Sequence, residues 1–159
     1  MTIRIVSDSA SDLPEAIARK YNITLVPLTF SIGDQEFTDR TSLTTQEFWQ
    51  RCSESPVLPQ TAAPAPGKFA EAYKKLVAEG ATGILMVGLS RELSATMQSA
   101  ETGAKESGLN VPIKFVDSRS ASMGEGSQTG LALPPTRSEC RFRLRGRCQF
   151  LQYLYLSGP

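Results

Sequence analysis

The chain of 159 residues carries 17 basic and 16 acidic residues, contains no histidine, and is 40% apolar. This length and apolar content fit one domain with an ordinary core, and the net charge of +1 gives no electrostatic reason to expect nucleic acid or an anionic membrane as a partner. No run of about 18 apolar residues occurs, and the amino-terminal residues turn polar too early for a signal peptide. We therefore expect a cytoplasmic protein without a transmembrane segment.

The absence of histidine and the few cysteines exclude several kinds of site. The chain has three cysteines, Cys52, Cys140 and Cys148, and no two of them have CxxC spacing. An odd number of cysteines without this spacing argues against both a disulfide framework and a structural zinc site. Without histidine the chain has no Ser-His-Asp or Cys-His relay and no zinc site of the usual His-rich kind. We expect neither a metal nor a cofactor.

The first forty residues predict strand, helix, strand and hairpin. A β-branched run at 3–6 predicts a strand, and "DLPEAIARKYN" predicts a helix capped by Asp12 with proline in its first turn. The run 23–32 predicts a second strand. A turn at Gly33 and Asp34 then predicts a small hairpin.

The middle of the chain predicts two helices separated by a loop. Thr44 and Glu47 have the spacing of a capping box, so a short helix is expected there. The prolines in "SESPVLPQTAAPAP" predict an extended segment that is neither helix nor inner strand. From Phe69 the apolar residues recur with helical period, and that helix is expected to stop at Gly80.

The following segments complete a pattern of alternating strands and helices. The apolar run 83–89 is typical of a strand buried on both faces. A helix is predicted from about Ser94 to Gly108, with Leu93 on its apolar side, and a fourth strand is predicted to end at Asp117. Strands that alternate with helices imply right-handed crossovers. We therefore predict a three-layer α/β/α fold with a mainly parallel sheet.

Polar side chains follow three of the predicted strands. "SDSAS" follows the first strand, "SRELSAT" the third and "DSRSAS" the fourth. The carboxyl ends of parallel strands meet at one edge of the sheet, where the following loops and helix amino termini offer N–H groups to a ligand. We expect one crevice there, lined by Asp8, Ser9, Ser90, Ser94, Thr96, Asp117, Ser118 and Ser120.

Three other interpretations of these residues stay open. Ser and Asp at junctions between strands and helices are favoured simply as helix caps. Asp8 also suggests a phosphotransfer or hydrolytic enzyme, although "DSA" lacks a second carboxylate two residues on to hold magnesium and the chain has no P-loop. The third is a protein-interaction module that binds no small ligand.

Five segments together resemble the amino-terminal half of the DegV family of bacterial fatty-acid-binding proteins. They are "VSDSASDLP", "VPLTFSIGDQEFTD", "PQTAAPAPGKFAEAYKKL", "GLSRELSATMQSAE" and "VDSRSASMGEG". The resemblance implies an α/β domain like this chain, then an α+β domain, with a fatty acid in a tunnel between them. It also implies a carrier that is not itself an enzyme and that presents a long-chain, palmitate-like fatty acid to a separate fatty-acid kinase.

The resemblance also implies which residues bind the lipid. The fatty-acid carboxylate is held by a threonine in a "TSQPS"-like loop and by the serine of an "LSGT"-like turn, and these positions are Thr61 and Ser94 here. The loop departs from that pattern at Ala62 and Ala63, and the turn has Ala95 in place of glycine. Both hydroxyls are kept, and we expect Ala95 to tighten the approach to the ligand.

The composition changes after Leu133. Residues 134–159 contain five arginines and two of the three cysteines but no Ala, Val, Ile, Asp or Lys, whereas residues 1–133 contain fifteen alanines. We predict a DegV-like α/β domain over 1–133, with the family's second α+β domain missing, and an aberrant basic tail over 134–159 that results from a reading-frame shift. The alternative is a natural basic tail that contacts nucleic acid or membrane.

Overall fold

The computed structural model describes residues 2–122, 124 and 125. In this part of the chain the strands are β1 (Ile3–Asp8), β2 (Ile23–Val26), β3 (Thr29–Ile32), β4 (Gln35–Thr38), β5 (Gln60–Ala62), β6 (Gly83–Gly88) and β7 (Ile113–Asp117). The helices are α1 (Glu15–Lys20), α2 (Thr45–Glu54), α3 (Pro66–Ala78) and α4 (Thr96–Ser107). The predicted basic tail at 134–159 lies outside the described residues.

A parallel sheet in the order β2-β1-β6-β7 forms the centre of the domain. Successive residues of β1 face opposite sides of it, as the strand period requires. Val6 lies in one core cluster with Tyr73 of α3 and Met97 of α4, while Ile5 lies in a second cluster with Ala18 of α1. Helices therefore cover both faces, and the predicted three-layer α/β/α fold is confirmed.

The prediction of one strand over 23–32 is wrong. The first half is β2, in the parallel sheet, and the second half is β3, at the centre of a separate antiparallel sheet in the order β4-β3-β5. Pro27 lies between the two halves, and a proline interrupts a strand ladder because it has no N–H to donate. The predicted hairpin connects β3 and β4, and Gly33 has there a φ of +58°, which glycine adopts without strain.

Aromatic contacts join α2 to this second sheet. The Phe30 ring of β3 lies 5.4 Å from the Phe37 ring and meets the Phe48 ring of α2 edge-on at 5.2 Å. The predicted capping box is present at the start of α2. Thr44 Oγ1 accepts a hydrogen bond from Glu47 N at 3.2 Å, and the Glu47 carboxylate accepts one from Thr44 N at 2.8 Å.

Helix α4 begins two residues later than predicted. The backbone N–H groups of Leu93 and Ser94 both donate to the carbonyl oxygen of Ser90, at 3.0 Å each, and form a turn ahead of the helix. Leu93, which was expected on the apolar side of the helix, is 61% exposed, so that part of the prediction is wrong. The helix ends at Gly108 as predicted, with a φ of +65°.

The packing of α3 against α4 depends on Gly103. A Cβ atom added at this position would lie 2.4 Å from the carbonyl oxygen of Pro66 and 2.8 Å from Phe69 Cβ. The first turn of α3 therefore lies directly against the backbone of α4. Because Pro66 meets the added carbon through its backbone, no side-chain rotation relieves the clash.

Gly103→Ala is expected to lower the free energy of unfolding by about 1–3 kcal/mol, since the two helices have to separate to admit the methyl group. Gly67→Ala is the matched control in α3, because its added Cβ meets nothing within 4 Å and alanine favours helix over glycine. Urea unfolding of both variants measures the difference. Equal stabilities would contradict this description of the interface.

Candidate functional site

The order of the parallel sheet places the ends of β1 and β6 side by side. After β1 the chain crosses to β2 on one side, and β6 pairs with β1 on the other side. In open α/β sheets ligands bind where the connections diverge in this way, outside the carboxyl ends of the strands. The loops after Asp8 and Gly88 therefore meet at the position predicted for the crevice.

Asp8 connects these two strand ends. Its side chain is fully buried, its Oδ1 accepts a hydrogen bond from Ala10 N at 2.9 Å, and its Oδ2 accepts one from Leu89 N at 3.3 Å. Desolvation by burial raises the pKa of Asp8, and the two backbone donors lower it again in part. With both oxygens engaged, Asp8 fits a structural role better than that of a phosphoryl acceptor.

Glu125 is a site residue that sequence reasoning missed. Its side chain is also fully buried, and its Oε1 accepts a hydrogen bond from Ser7 Oγ at 3.0 Å. Burial, together with the charge of Asp8, raises the pKa of Glu125 to about 9. Nothing in the local pattern "MGEG" distinguishes this glutamate from an exposed one, since Asp8 is 117 residues away.

Several predicted hydroxyls are buried at these strand ends and bind neighbouring backbone. Ser9 Oγ accepts a hydrogen bond from Leu28 N at 3.0 Å, which attaches the loop after β1 to the start of the second sheet. Ser118 Oγ donates to the carbonyl oxygen of Ser120 at 3.1 Å, and Ser90 N donates to that same oxygen at 2.9 Å. The contacts of Ser120 join the ends of β6 and β7, and the crevice itself stays a prediction.

Asp117 and Thr96 also have local partners. Asp117 is half-buried and its Oδ1 accepts a hydrogen bond from Arg119 N at 2.9 Å. Thr96 is fully buried, and its Oγ1 lies 2.9 Å from Ser94 Oγ. Neither contact caps a helix, because Arg119 lies in no helix and the N-cap residue of α4, Ala95, makes no side-chain capping hydrogen bond.

The two hydroxyls expected to bind the lipid lie on different elements. Ser94 is half-buried just before α4, and its Oγ accepts a hydrogen bond from Thr96 N at 3.2 Å. Thr61 is exposed on β5, opposite Phe30 in the second sheet. The segment after β5 reaches α4 through a hydrogen bond from Ser99 Oγ to the Pro64 carbonyl oxygen.

Alanine fits the turn before α4 without backbone strain. Ala95 has a φ of −76° and a ψ of 0°, a conformation open to any L residue, and its side chain is exposed. A glycine is therefore not required by the backbone at this position.

The Arg40 side chain connects the second sheet to the loop after β1 through two hydrogen bonds. Its Nη1 donates to the carbonyl oxygen of Leu13 at 2.6 Å and its Nη2 to that of Ser9 at 2.9 Å. The residue itself has a φ of +62°, in the left-handed region. No sequence pattern pointed to this contact, because Arg40 lies in a turn whose partners are about thirty residues earlier.

Comparison with known proteins assigns the family. Residues 2–132 match the family model described as "Uncharacterised protein, DegV family". The chain belongs to the DegV family. The match ends at residue 132, next to the change of composition after Leu133. The boundary at 133 between an α/β domain and an aberrant tail stays a prediction.

Relatives of this DegV chain include a curated protein and solved structures. A DegV domain-containing protein of Streptomyces coelicolor is 36% identical over 125 residues, which are 78% of this chain and 43% of that protein. The structure of a fatty-acid-binding DegV family protein from Thermus thermophilus is 33% identical, with a TM-score of 0.75 over 83% of this chain and 46% of the other. A DegV lipid-binding protein from Thermotoga maritima is 30% identical, with a TM-score of 0.76 over 83% and 47% of the two chains.

The DegV chain thus spans less than half the length of these relatives. Among the described residues, no helix is long and apolar enough to cross a membrane. Within the same residues, no three Asp, Glu, Cys or His side chains form a group that could hold a metal ion.

The Arg40 contact makes a prediction about the stability of this DegV domain. Arg40→Ala is expected to lower the free energy of unfolding by about 1 kcal/mol more than Arg119→Ala does, because two charge-assisted hydrogen bonds are lost. Arg119 is a matched control, since it is also exposed and has a φ of +50°. Thermal or urea unfolding measures the difference, and equal losses for the two variants would contradict the proposed contact.

Proposed function

We propose that this chain is the α/β part of a DegV carrier that binds a long-chain fatty acid, with the Thr61 and Ser94 hydroxyls donating hydrogen bonds to its carboxylate. Support comes from the DegV proteins of Thermus thermophilus, which binds fatty acid, and Thermotoga maritima, which binds lipid. Both share this fold at 30% identity or more.

The observation that carries the proposal is the position of Ser94 at the start of α4. Its hydroxyl is half-buried two residues before the helix, and Ala95, at the helix N-cap, makes no side-chain capping hydrogen bond. The amino terminus of a helix favours a carboxylate through its N–H groups and its dipole. Hydroxyl donors add hydrogen bonds to that carboxylate without adding a charge that would itself need burial.

Exposed aliphatic residues lie close in sequence to both hydroxyls. Leu93, next to Ser94, is 61% exposed, and Leu58, three residues before Thr61, is 88% exposed. An acyl chain gains about 0.8 kcal/mol for each methylene that it buries. We propose that these leucines contact the acyl chain and that the part of the family's length beyond this chain covers the remainder.

The proposed role is that of a carrier. The fatty acid would be presented, carboxylate first, to a separate fatty-acid kinase, and hydrogen bonds at the carboxylate would set its orientation for that reaction. The tail would provide most of the affinity, because a carboxylate hydrogen bond contributes about 1.5 to 3 kcal/mol, less than the burial of four methylenes.

The test uses a full-length DegV relative. Replacing the residue aligned with Thr61 or with Ser94 by alanine is expected to weaken its binding of palmitate by about 10- to 150-fold. Phosphorylation of the bound fatty acid by the kinase should fall further, because orientation is lost as well as affinity. Calorimetry and a kinase assay measure the two effects. Alanine at an exposed position of the helix aligned with α2 is the control, and unchanged affinity together with unchanged phosphorylation for both site variants would contradict the assignment.

The 159-residue polypeptide is expected to bind palmitate poorly. If about eight methylenes stay in water, the loss is about 6 kcal/mol, or more than 10⁴-fold in affinity. Calorimetry with palmitate is the measurement. A submicromolar dissociation constant, with residues after Leu133 shown to be unstructured, would mean that this domain alone encloses the ligand.

A further inference from the structure

We propose that Thr96 is a positioning residue that fixes the direction of the Ser94 hydroxyl, so that Ser94 presents its hydrogen, and not a lone pair, to the fatty-acid carboxylate. This inference rests on the proposed function, because it concerns how Ser94 acts in that site. The Thr96 side chain is 0% exposed, so it influences a ligand only through Ser94.

The backbone holds the Ser94 side chain in place. The N–H of Ser94 donates to the carbonyl oxygen of Ser90 at 3.0 Å, which fixes the turn before α4. Ser94 Oγ accepts a hydrogen bond from the N–H of Thr96 at 3.2 Å, a short-range contact by which serine side chains commonly close a turn. One of the two lone pairs of Ser94 Oγ is therefore used by the backbone.

The second contact of Ser94 Oγ is with the Thr96 hydroxyl, and burial decides its direction. The two oxygens lie 2.9 Å apart, and by distance alone either of them could donate. The Thr96 side chain is fully enclosed, and among the described residues its hydroxyl has Ser94 as its one hydrogen-bond partner. A Thr96 hydrogen that pointed elsewhere would be buried without an acceptor, which is costly. Thr96 is therefore the donor and Ser94 the acceptor.

The two accepted hydrogen bonds determine what Ser94 offers to a ligand. A serine hydroxyl has two acceptor lone pairs and one hydrogen, and Thr96 uses both lone pairs. The hydrogen therefore points away from Thr96, and it is a stronger donor because hydrogen bonds in a chain polarise one another. An ionised carboxylate only accepts hydrogen bonds and fits this hydroxyl, whereas an ammonium group only donates and does not.

Calorimetry with palmitate tests the inference in a full-length DegV relative that has serine and threonine at the positions aligned with 94 and 96. The equivalent of Thr96→Val keeps the shape of the side chain and removes its hydroxyl. It is expected to weaken binding by about 2- to 10-fold, because the Ser94 hydroxyl is then free to turn. The equivalent of Thr96→Ser is the matched control. It keeps the hydroxyl, loses only the methyl group, and is expected to bind palmitate like the parent protein.

A double-variant cycle distinguishes positioning from a general structural effect. In a Ser94→Ala background, Thr96→Val should leave the affinity unchanged, because the hydroxyl that Thr96 orients is already absent. An equal loss in both backgrounds, or no loss in either, would overturn this inference while the carboxylate site at Ser94 stands. If Ser94→Ala alone left the affinity unchanged, the proposed function of Ser94 would fail and this inference with it.

Nuclear magnetic resonance of the 159-residue chain tests the direction of the hydrogen bond without a ligand. In an equal mixture of H₂O and D₂O, a slowly exchanging hydroxyl splits the signal of its Cβ carbon, whereas a rapidly exchanging one leaves a single averaged signal. The Thr96 signal should be split, because its hydrogen is buried and donated. The Ser94 signal should be averaged, because its hydrogen points outward, and exposed Thr45 is the internal control for rapid exchange. A split Ser94 signal or an averaged Thr96 signal would overturn the proposal.

Discussion

The hydrogen bonds accepted by Asp8 are the contacts on which the arrangement of the site depends. A parallel sheet holds its strands through ladder hydrogen bonds, but the ladder stops where the strands end, and the loops beyond need other partners. The Asp8 carboxylate supplies them by accepting from Leu89 N across the gap between β1 and β6 and from Ala10 N in its own loop. With these two loops fixed, the turn that leads to Ser94 starts from a defined position.

The second sheet is attached to the same strand ends. Ser9 Oγ accepts from Leu28 N just before β3, and Arg40 reaches back to carbonyl oxygens on either side of the turn after β1. Thr61 lies on β5, which pairs with β3. The position of Thr61 relative to the parallel sheet therefore depends on contacts that are far from Thr61 itself. A carboxylate-binding site that uses both Thr61 and Ser94 needs such contacts, because Thr61 lies on the second sheet and Ser94 lies in the turn between β6 and α4.

Sequence patterns predicted most of the parallel sheet and its helices, since these elements depend on local periodicity and on caps. The helix that contains Phe69 and the capping box of Thr44 and Glu47 are examples, because both signals lie within a few neighbouring residues. The family resemblance was also correct. The break at Pro27 was visible in the sequence, but the separate sheet that follows it requires pairing between β3 and β5, about thirty residues apart.

Long-range polar contacts could not be predicted. Asp8 drew attention as a carboxylate at a strand end, yet its structural role depends on Leu89 N and on Glu125, which lie 81 and 117 positions further along the chain. Leu93 illustrates the opposite error, since its spacing fitted the apolar side of a helix while the turn at Ser90 places it before the helix begins. The spacing of apolar residues predicts the buried face of a helix only where the backbone is actually helical.

The proposed carboxylate site at Thr61 and Ser94 is tested most directly by photochemical cross-linking. A palmitate analogue with a photoreactive group next to its carboxylate would be bound to a full-length DegV relative and located by mass spectrometry. Cross-links are expected at the residues aligned with 60–64 and 93–97, which contain the two hydroxyls. Cross-links confined to other parts of the protein would contradict a carboxylate site at Thr61 and Ser94.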